Sequence, residues 1–217
     1  MPFKEGGGNK SQPYDTNTGK YVKNGKENVL KGKTFYHGSP NKYIQSFDES
    51  YAGKNVGTDY VGIFFTDNKD FADDFSYERK ENGLFFDIRG DKGKVYEAEL
   101  DMKNPLDFNN LTEAQIKDIK DNYLANWGFG KDEMFRWFKQ YLEAGNIQGA
   151  KTLINFKKIA EDGKYDGYIA DLGGKYKGAN EYVIFKGKQA KLKNPSKEKP
   201  PKKEEKEKFE EIDGLPF

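Results

Sequence analysis

The chain has 217 residues, of which 35 % are hydrophobic and 34 % charged, and its formal net charge is +1. The absence of cysteine excludes disulfides, thiolate metal sites and cysteine nucleophiles. The near-neutral balance, with 34 lysines against three arginines, argues against a dedicated phosphate reader or a protein drawn to nucleic acid. The first residues contain no apolar signal segment, and no later run approaches membrane-spanning length. We therefore expect a soluble, cytoplasmic monomer without membrane contact.

Both ends of the chain are predicted to be mobile. Residues 1–32 are rich in Gly, Asn, Lys and Thr and show neither helical nor strand periodicity. Residues 194–217 begin with proline and alternating charge, which is typical of a disordered tether. One folded domain is predicted between them, at residues 33–193, which is an ordinary domain size.

The first half of this domain is predicted to contain three strands and one helix. Asp67 or Asn68 can cap the helix, and its Phe71 and Phe75 are four residues apart, so they share a face. The last strand ends at Asn104-Pro105. In chain order, we predict a strand at 33–39, a short buried strand at 62–66, a helix over 69–80 and an alternating strand at 94–102.

The second half begins with a predicted helical insert and ends with two strands. Thr112 and Gln115 form a capping-box pattern before the first helix. Helical spacing of apolar residues predicts a second helix over 131–145, and a third is expected at about 147–161; the apolar positions of the second are Met134, Phe135, Phe138 and Leu142. The strands YDGYIAD and EYVIFKG follow. Strands at both ends with helices between them indicate an α+β fold, not a doubly wound parallel sheet.

The sequence gives little support for three common kinds of functional site: a phosphate-binding loop, a histidine-based metal site and a Ser-His-Asp triad. The glycine clusters at 6–8 and 173–178 lack the spacing and strand-to-helix context of a phosphate-binding loop. His37 is the only histidine, so a histidine-based metal site would need carboxylates for all its other ligands. A Ser-His-Asp triad through His37 stays open, although no nucleophile-elbow sequence is present.

Three separated stretches carry a family resemblance: YHGS (36–39), GIFFTDNKDFADDF (62–75) and NEYVIF (180–185). In this order they resemble the catalytic core of ADP-ribosyltransferases of the His-Tyr-Glu branch, which includes diphtheria toxin and the poly(ADP-ribose) polymerases. The resemblance is closer still to the small transferase domains of phage and mobile-element polyproteins. It covers residues 34–193. It implies a split β-sandwich with a helical insert, NAD+ as co-substrate, no metal, and the cytoplasm of a bacterial host.

The resemblance also implies roles for individual residues. Glu181 takes the place of the catalytic glutamate, which grips a ribose hydroxyl and stabilises an oxocarbenium-like transition state as nicotinamide leaves. His37 would bind a ribose hydroxyl, and the backbone of Gly38 would reach the nicotinamide carboxamide, because no side chain intervenes. Ser39 would share the ribose pocket. Phe75 would stack on the nicotinamide ring, with a cation–π attraction of roughly 0.5–2 kcal/mol.

The chain departs from the family pattern at three positions. Phe64 stands where the pattern has tyrosine, and Ala72 where a serine often binds the carboxamide; both remain candidate NAD+-binding positions. Ala179 stands two residues before the catalytic position, where arginine-modifying relatives carry Glu or Gln, so arginine is not the expected acceptor. The loop 172–180 lies where the family recognises its acceptor protein or nucleic acid, and Tyr176 is the candidate residue there.

Simpler interpretations of the same residues stay open. His37 also fits a core histidine, and Glu181 fits a plain glutamate at a strand end. With Phe64 and Ala72, the domain also fits an inactive transferase-like binding module. RNA 2′-phosphotransferases share the fold, but they need further histidine and arginine residues that this chain lacks.

The last nine residues, FEEIDGLPF, are similar to the C-terminal tip of bacterial single-stranded-DNA-binding proteins. Such a tip buries one aromatic ring in a partner while its carboxylate meets a basic pocket. The tip predicts docking on a replication or repair protein of a bacterial host, and the alternative is a frayed end. The docking residues would be Leu215, Pro216 and Phe217.

Overall fold

The computed structural model of the protein describes residues 14–15, 20–21, 30–51, 61–80 and 88–196. These residues form a seven-stranded sheet with helices and two small strand pairs. The predicted α+β class is confirmed. Among these residues, no helix is long and apolar enough to cross a membrane. The C-terminal tip, like most of the predicted leader and tether, lies outside the described residues.

The strands fall into one large sheet and two pairs. β1 pairs with β2, and β5 pairs with β6, both antiparallel. The large sheet has the order β11-β7-β3-β4-β10-β9-β8 and is antiparallel except between β8 and β9. The bounds are β1 Tyr14–Asp15, β2 Lys20–Tyr21, β3 Phe35–Ser39, β4 Ile63–Thr66, β5 Tyr77–Lys80, β6 Ile88–Lys92, β7 Lys94–Leu100, β8 Leu106–Asp107, β9 Gly167–Asp171, β10 Asn180–Ile184 and β11 Ala190–Leu192.

The large sheet is nearly divided in two at its centre. β3 pairs with β7 along its whole length, and β4 pairs with β10 along its whole length. In contrast, one residue pair, Tyr36 with Thr66, joins β3 to β4. Beyond Tyr36 the two central strands therefore separate, which produces the split that the family resemblance implies.

One helix follows β4, and four lie in the insert between β8 and β9. Thr112 caps α2 with the predicted reciprocal capping box, and α2 continues into a wider π turn at Ile119–Tyr123. Met134 and Phe138 of α3 are buried, with Phe135 and Leu142 packed beside them, as their spacing predicts. The helices are α1 Lys69–Asp74, α2 Glu113–Asp118, α3 Lys131–Glu143, α4 Ile147–Thr152 and α5 Phe156–Asp162.

Two helix predictions were wrong in extent. The predicted helix over 69–80 ends at Asp74, and its second half is the strand β5. The predicted third insert helix is two helices, because Leu153 and Asn155 form backbone hydrogen bonds with Ala125 and Tyr123 of the preceding segment. Asn155 then caps α5 through its side chain.

The two faces of the large sheet carry different hydrophobic clusters. Val183 of β10 belongs to the cluster formed with the insert helices, whereas Tyr182 and Ile184 belong to the cluster on the opposite face. Because side chains alternate along a strand, Glu181 shares the face of Val183. We call this the insert face. It also receives Phe64 of β4.

Candidate active site

Glu181 lies near the centre of the large sheet, where the split begins. It is paired with Thr66 on one side and with Ala170 on the other, and Thr66 is in turn paired with Tyr36. Residues on one rung of a sheet project to the same face, so Tyr36, Thr66 and Glu181 line the insert face together. The rung that carries the glutamate is thus the rung at which β3 and β4 meet.

The Glu181 carboxylate is buried and is held from the insert. Its side chain is 9 % exposed, and its Oε1 forms an ion pair with Lys151 Nζ. Gln148 Nε2 lies 3.5 Å from the same oxygen and donates to the Asp171 carbonyl at 2.6 Å. Lys151 also donates to Gln148 Oε1 at 3.1 Å. The glutamate, lysine and glutamine therefore form one polar cluster within an otherwise apolar layer.

Lys151 is an unusual lysine because its side chain is only 10 % exposed. It lies on α4, and its Nζ is 5.2 Å from the centre of the Tyr168 ring. Burial lowers the pKa of Lys151, whereas contact with the Glu181 carboxylate favours the charged ammonium. Sequence reasoning missed Lys151 and Gln148, since neither stands out among the polar residues of the insert.

His37 follows Tyr36 on β3, so its side chain leaves the sheet on the face opposite Glu181. Its ring packs against Phe47 at 5.1 Å and Phe65 at 5.5 Å between ring centres. Its Nδ1 donates to the Phe64 carbonyl at 2.7 Å, so Nδ1 carries the ring proton. Burial lowers the pKa of His37 against the opposing effect of that hydrogen bond, which favours a neutral imidazole at neutral pH.

The packing of α1 against β3 requires glycine at position 38. A Cβ there would lie 1.7 Å from the Ala72 carbonyl oxygen, because α1 crosses β3 in backbone contact. The expectation that Gly38 leaves room for a ligand therefore has an alternative: the helix occupies the space in the Cβ direction. Ser39 is buried, and its Oγ accepts a hydrogen bond from the backbone N–H of Asn41 at 3.2 Å.

The remaining aromatic candidate lies at the end of α1. Phe75 is 43 % exposed, and its ring centre lies 4.9 Å from that of Phe71, as the helical spacing predicts. Ala72 is buried at 2 %, so its methyl group contributes to packing. Phe64 is half-buried and packs against the insert core. Phe75 is therefore the aromatic candidate with the most ring surface available to a ligand.

The loop 172–180 is fastened to α1. Tyr176 donates to Asp74 Oδ2 at 2.7 Å, and its ring centre lies 4.9 Å from that of Phe71. The Asp171 carboxylate accepts from the backbone of Gly173 and Gly178, at 2.6 and 2.8 Å. Both glycines have positive φ, a conformation that other residues adopt at a cost. The loop therefore has a backbone conformation fixed by hydrogen bonds, and it lies beside the exposed Phe75.

The structure brings some predicted site residues together and separates others. Gly38, Phe64 and Glu181 share the insert face, with α1 and Tyr176 beside the split. His37 contacts the opposite face, and within the described part of the chain no hydrogen bond, ion pair or ring contact joins it to Glu181. The described residues contain no group of three or more His, Asp or Glu side chains arranged to hold a metal ion.

Comparison with known proteins adds one finding. The family model described as ADP-ribosyltransferase in polyvalent proteins matches residues 31–199, which is most of the chain and includes the sheet, the insert and the loop. No curated protein and no solved structure matches the chain.

Proposed function

Because the chain belongs to the family of ADP-ribosyltransferase domains in polyvalent proteins, we propose that it is an active, NAD+-dependent member of that family. It would cleave the bond between nicotinamide and ribose and transfer ADP-ribose to a macromolecular acceptor. The observation that carries the proposal is a buried carboxylate, Glu181, at the point where the central sheet divides. The implied phage or mobile-element setting, in a bacterial cytoplasm, belongs to the same proposal.

Glu181 has the properties that this reaction needs. As nicotinamide departs, positive charge builds on the ribose ring, and an adjacent carboxylate in a poorly solvated site stabilises that charge strongly. Its side chain is 9 % exposed, so little water competes for the carboxylate. Its partner Lys151 favours the ionised form in spite of burial. We infer that Glu181 accepts a hydrogen bond from the 2-hydroxyl of the nicotinamide ribose.

His37 is suited to receive a second hydroxyl group. Because Nδ1 donates to the Phe64 carbonyl, the neutral ring has Nε2 as its acceptor. In the described part of the structure, no hydrogen bond uses Nε2, and no fully buried side-chain N or O lacks a partner. Nε2 is therefore not completely buried, and we infer that it accepts a hydrogen bond from a ribose hydroxyl.

The exposed ring of Phe75 is proposed to cover the nicotinamide, which is cationic before cleavage and is attracted to an aromatic face. Loop 172–180, with Tyr176, is proposed to contact the acceptor, because it stands beside the same helix end. Ser39, Phe64 and Ala72 would then contribute mainly through packing or backbone contacts.

The proposal is tested by nicotinamide release from NAD+. We expect wild type to release nicotinamide and Glu181→Gln to be at least tenfold slower, a loss of about 1.4 kcal/mol or more of transition-state stabilisation. Glu143→Gln is a matched control, since Glu143 ends α3 and its side chain is 68 % exposed. His37→Ala should raise the KM for NAD+.

Two results would overturn the proposal. One is equal release by wild type and Glu181→Gln, when the thermal unfolding of the two proteins shows that both are folded. The other is no release by wild type together with no NAD+ binding by calorimetry, which would favour the inactive binding module.

A further inference from the structure

Helix α4 carries two polar side chains to one oxygen of the proposed catalytic glutamate. Gln148 and Lys151 are three residues apart and therefore lie on the same face of the helix. Lys151 forms its ion pair with Oε1 of Glu181, and Gln148 Nε2 is 3.5 Å from that same atom. The two donors of the insert are thus nearest to the same carboxylate oxygen.

The cluster is fixed by contacts beyond the glutamate. Gln148 Nε2 donates to the Asp171 carbonyl on β9 at 2.6 Å, and its Oε1 accepts from Lys151 at 3.1 Å. Because the glutamine uses both ends of its amide, its orientation is set. Lys151 is held between two acceptors and the face of the Tyr168 ring. Neither side chain is a loose surface group that meets Glu181 by chance.

The second carboxylate oxygen, Oε2, is the farther one from the donors of the insert. Lys151 Nζ and Gln148 Nε2 both make their closest approach to the carboxylate at Oε1. The Glu181 side chain keeps 9 % of its surface exposed. Oε2 is therefore the oxygen that we assign to a ligand hydroxyl entering at the split.

We propose that Lys151 is a positioning residue of this transferase: with Gln148 it clamps Oε1 of Glu181 and presents Oε2 to the ribose hydroxyl. The inference rests on the proposed function, and it assigns the helical insert the task of positioning the catalytic carboxylate. Lys151 acts through Glu181 and does not itself touch the ribose.

The ion pair between Lys151 and Glu181 should affect the pKa of the glutamate, which can be measured. A buried carboxylate that loses its cation becomes easier to protonate, and a protonated Glu181 cannot stabilise the developing positive charge. The titratable side chains on the insert face near Glu181 are Lys151 on α4, Tyr168 on β9 and Tyr36 on β3. Beyond Tyr36 lies Lys69 of α1, whose Nζ is 5.6 Å from the centre of the Tyr36 ring and is paired with Glu97. Lys151 is the cation that is paired with the Glu181 carboxylate, so its removal should raise the pKa of Glu181.

The test compares Lys151→Met, which keeps an unbranched side chain, with Lys151→Arg, which keeps the cation. The Glu181 carboxyl is titrated by ¹³C NMR, and nicotinamide release is measured across the pH range. We expect Lys151→Met to raise the pKa of Glu181 by at least one unit and to move the acid limb of kcat to higher pH by the same amount. At neutral pH kcat should fall at least tenfold, with KM for NAD+ within about threefold. Lys151→Arg should restore the acid limb.

Lys164→Met is the matched control. Lys164 forms an ion pair at 2.7 Å with Asp118, whose side chain is 10 % exposed, and neither residue belongs to the Glu181 cluster. This variant removes the cation of another ion pair, one whose lysine side chain is 54 % exposed, and should leave both the Glu181 titration and the acid limb in place.

The inference is overturned if Lys151→Met leaves the pKa of Glu181 where it is in wild type, or lowers kcat without moving the acid limb. The first readout does not depend on activity, so it separates the two proposals. A raised Glu181 pKa in a protein that never releases nicotinamide would show that Lys151 stabilises the Glu181 carboxylate. It would reject both the transferase function and the role of Lys151 in that function. Normal activity with an unmoved pKa would reject the positioning role alone.

Discussion

The contact between Gly38 and α1 makes a sharp prediction about the substitution Gly38→Ala. An added methyl group would lie 1.7 Å from the Ala72 carbonyl oxygen, 2.8 Å from its carbon and 3.1 Å from the Phe75 carbonyl carbon. The first distance is about half of the 3.4–4 Å of an ordinary Cβ contact. All three neighbouring atoms are backbone atoms, so no rotation of a side chain can relieve the clash.

The cost is therefore that of moving α1 away from the sheet. Overpacking a well-packed site typically costs about 1–3 kcal/mol, and a backbone obstacle places Gly38→Ala at the upper end, near ~3 kcal/mol. That is a large part of the total stability of a typical domain, about 5–15 kcal/mol. Moving the helix also moves Phe75, so nicotinamide release should fall in the molecules that remain folded.

Urea unfolding, followed by circular dichroism, measures this effect. At about 2 kcal/mol per molar urea, the midpoint of Gly38→Ala should fall by roughly 1.5 M. Gly130→Ala is the control, because Gly130 has φ −62° and a Cβ there would meet nothing within 4 Å. A midpoint for Gly38→Ala within about 0.3 M of wild type, equivalent to about 0.6 kcal/mol, would refute the close approach of β3 and α1.

Two further predictions concern the loop and the insert. Tyr176→Phe removes the hydrogen bond to Asp74, worth about 1 kcal/mol, so trypsin should cut the loop at Lys175 or Lys177 about fivefold faster; an unchanged rate would contradict the fastening. Burial raises the pKa of Asp118. Hydrogen bonds from Lys164, Tyr165 and Asn122 lower it by more than burial raises it, so the pKa is below its ordinary value. This lowered pKa stabilises the folded protein at pH values above the pKa of Asp118 in the unfolded chain. The stabilisation is lost as the pH falls through the pKa of Asp118 in the folded protein. Asp118→Asn should therefore cost about 1.5–3 kcal/mol at pH 7, and the difference from wild type should begin to narrow in unfolding curves taken below about pH 4.

Sequence patterns predicted the elements whose signals are local. The capping box at Thr112 and the apolar face of α3 were right, because they depend on residues three and four apart. The strands around His37, Phe64 and Glu181 were also placed correctly, since each is a short apolar or alternating run.

The errors arose where distant segments decide the local structure. The helix predicted over 69–80 stops because Ser76 turns the chain, is fully buried, and accepts a hydrogen bond from Gly93. The break between α4 and α5 depends on backbone bonds to residues near position 124. Lys151 is one of 34 lysines, and its distinguishing property is a carboxylate 30 positions later in the chain, which no local pattern encodes.

The split of the sheet resolves how one ligand can reach two proposed site residues on opposite faces. A continuous sheet would separate the side chains of His37 and Glu181 by its full thickness. Here β3 and β4 share the single rung of Tyr36 and Thr66, and His37 fills the start of the gap by bonding to the Phe64 carbonyl. In the proposed function, one NAD+ molecule would enter this opening and meet His37 and Glu181 from the two sides of the gap. The proposed function therefore depends on the divergence of β3 and β4: their single shared rung continues to the proposed catalytic carboxylate of Glu181, and the two strands separate immediately beside it.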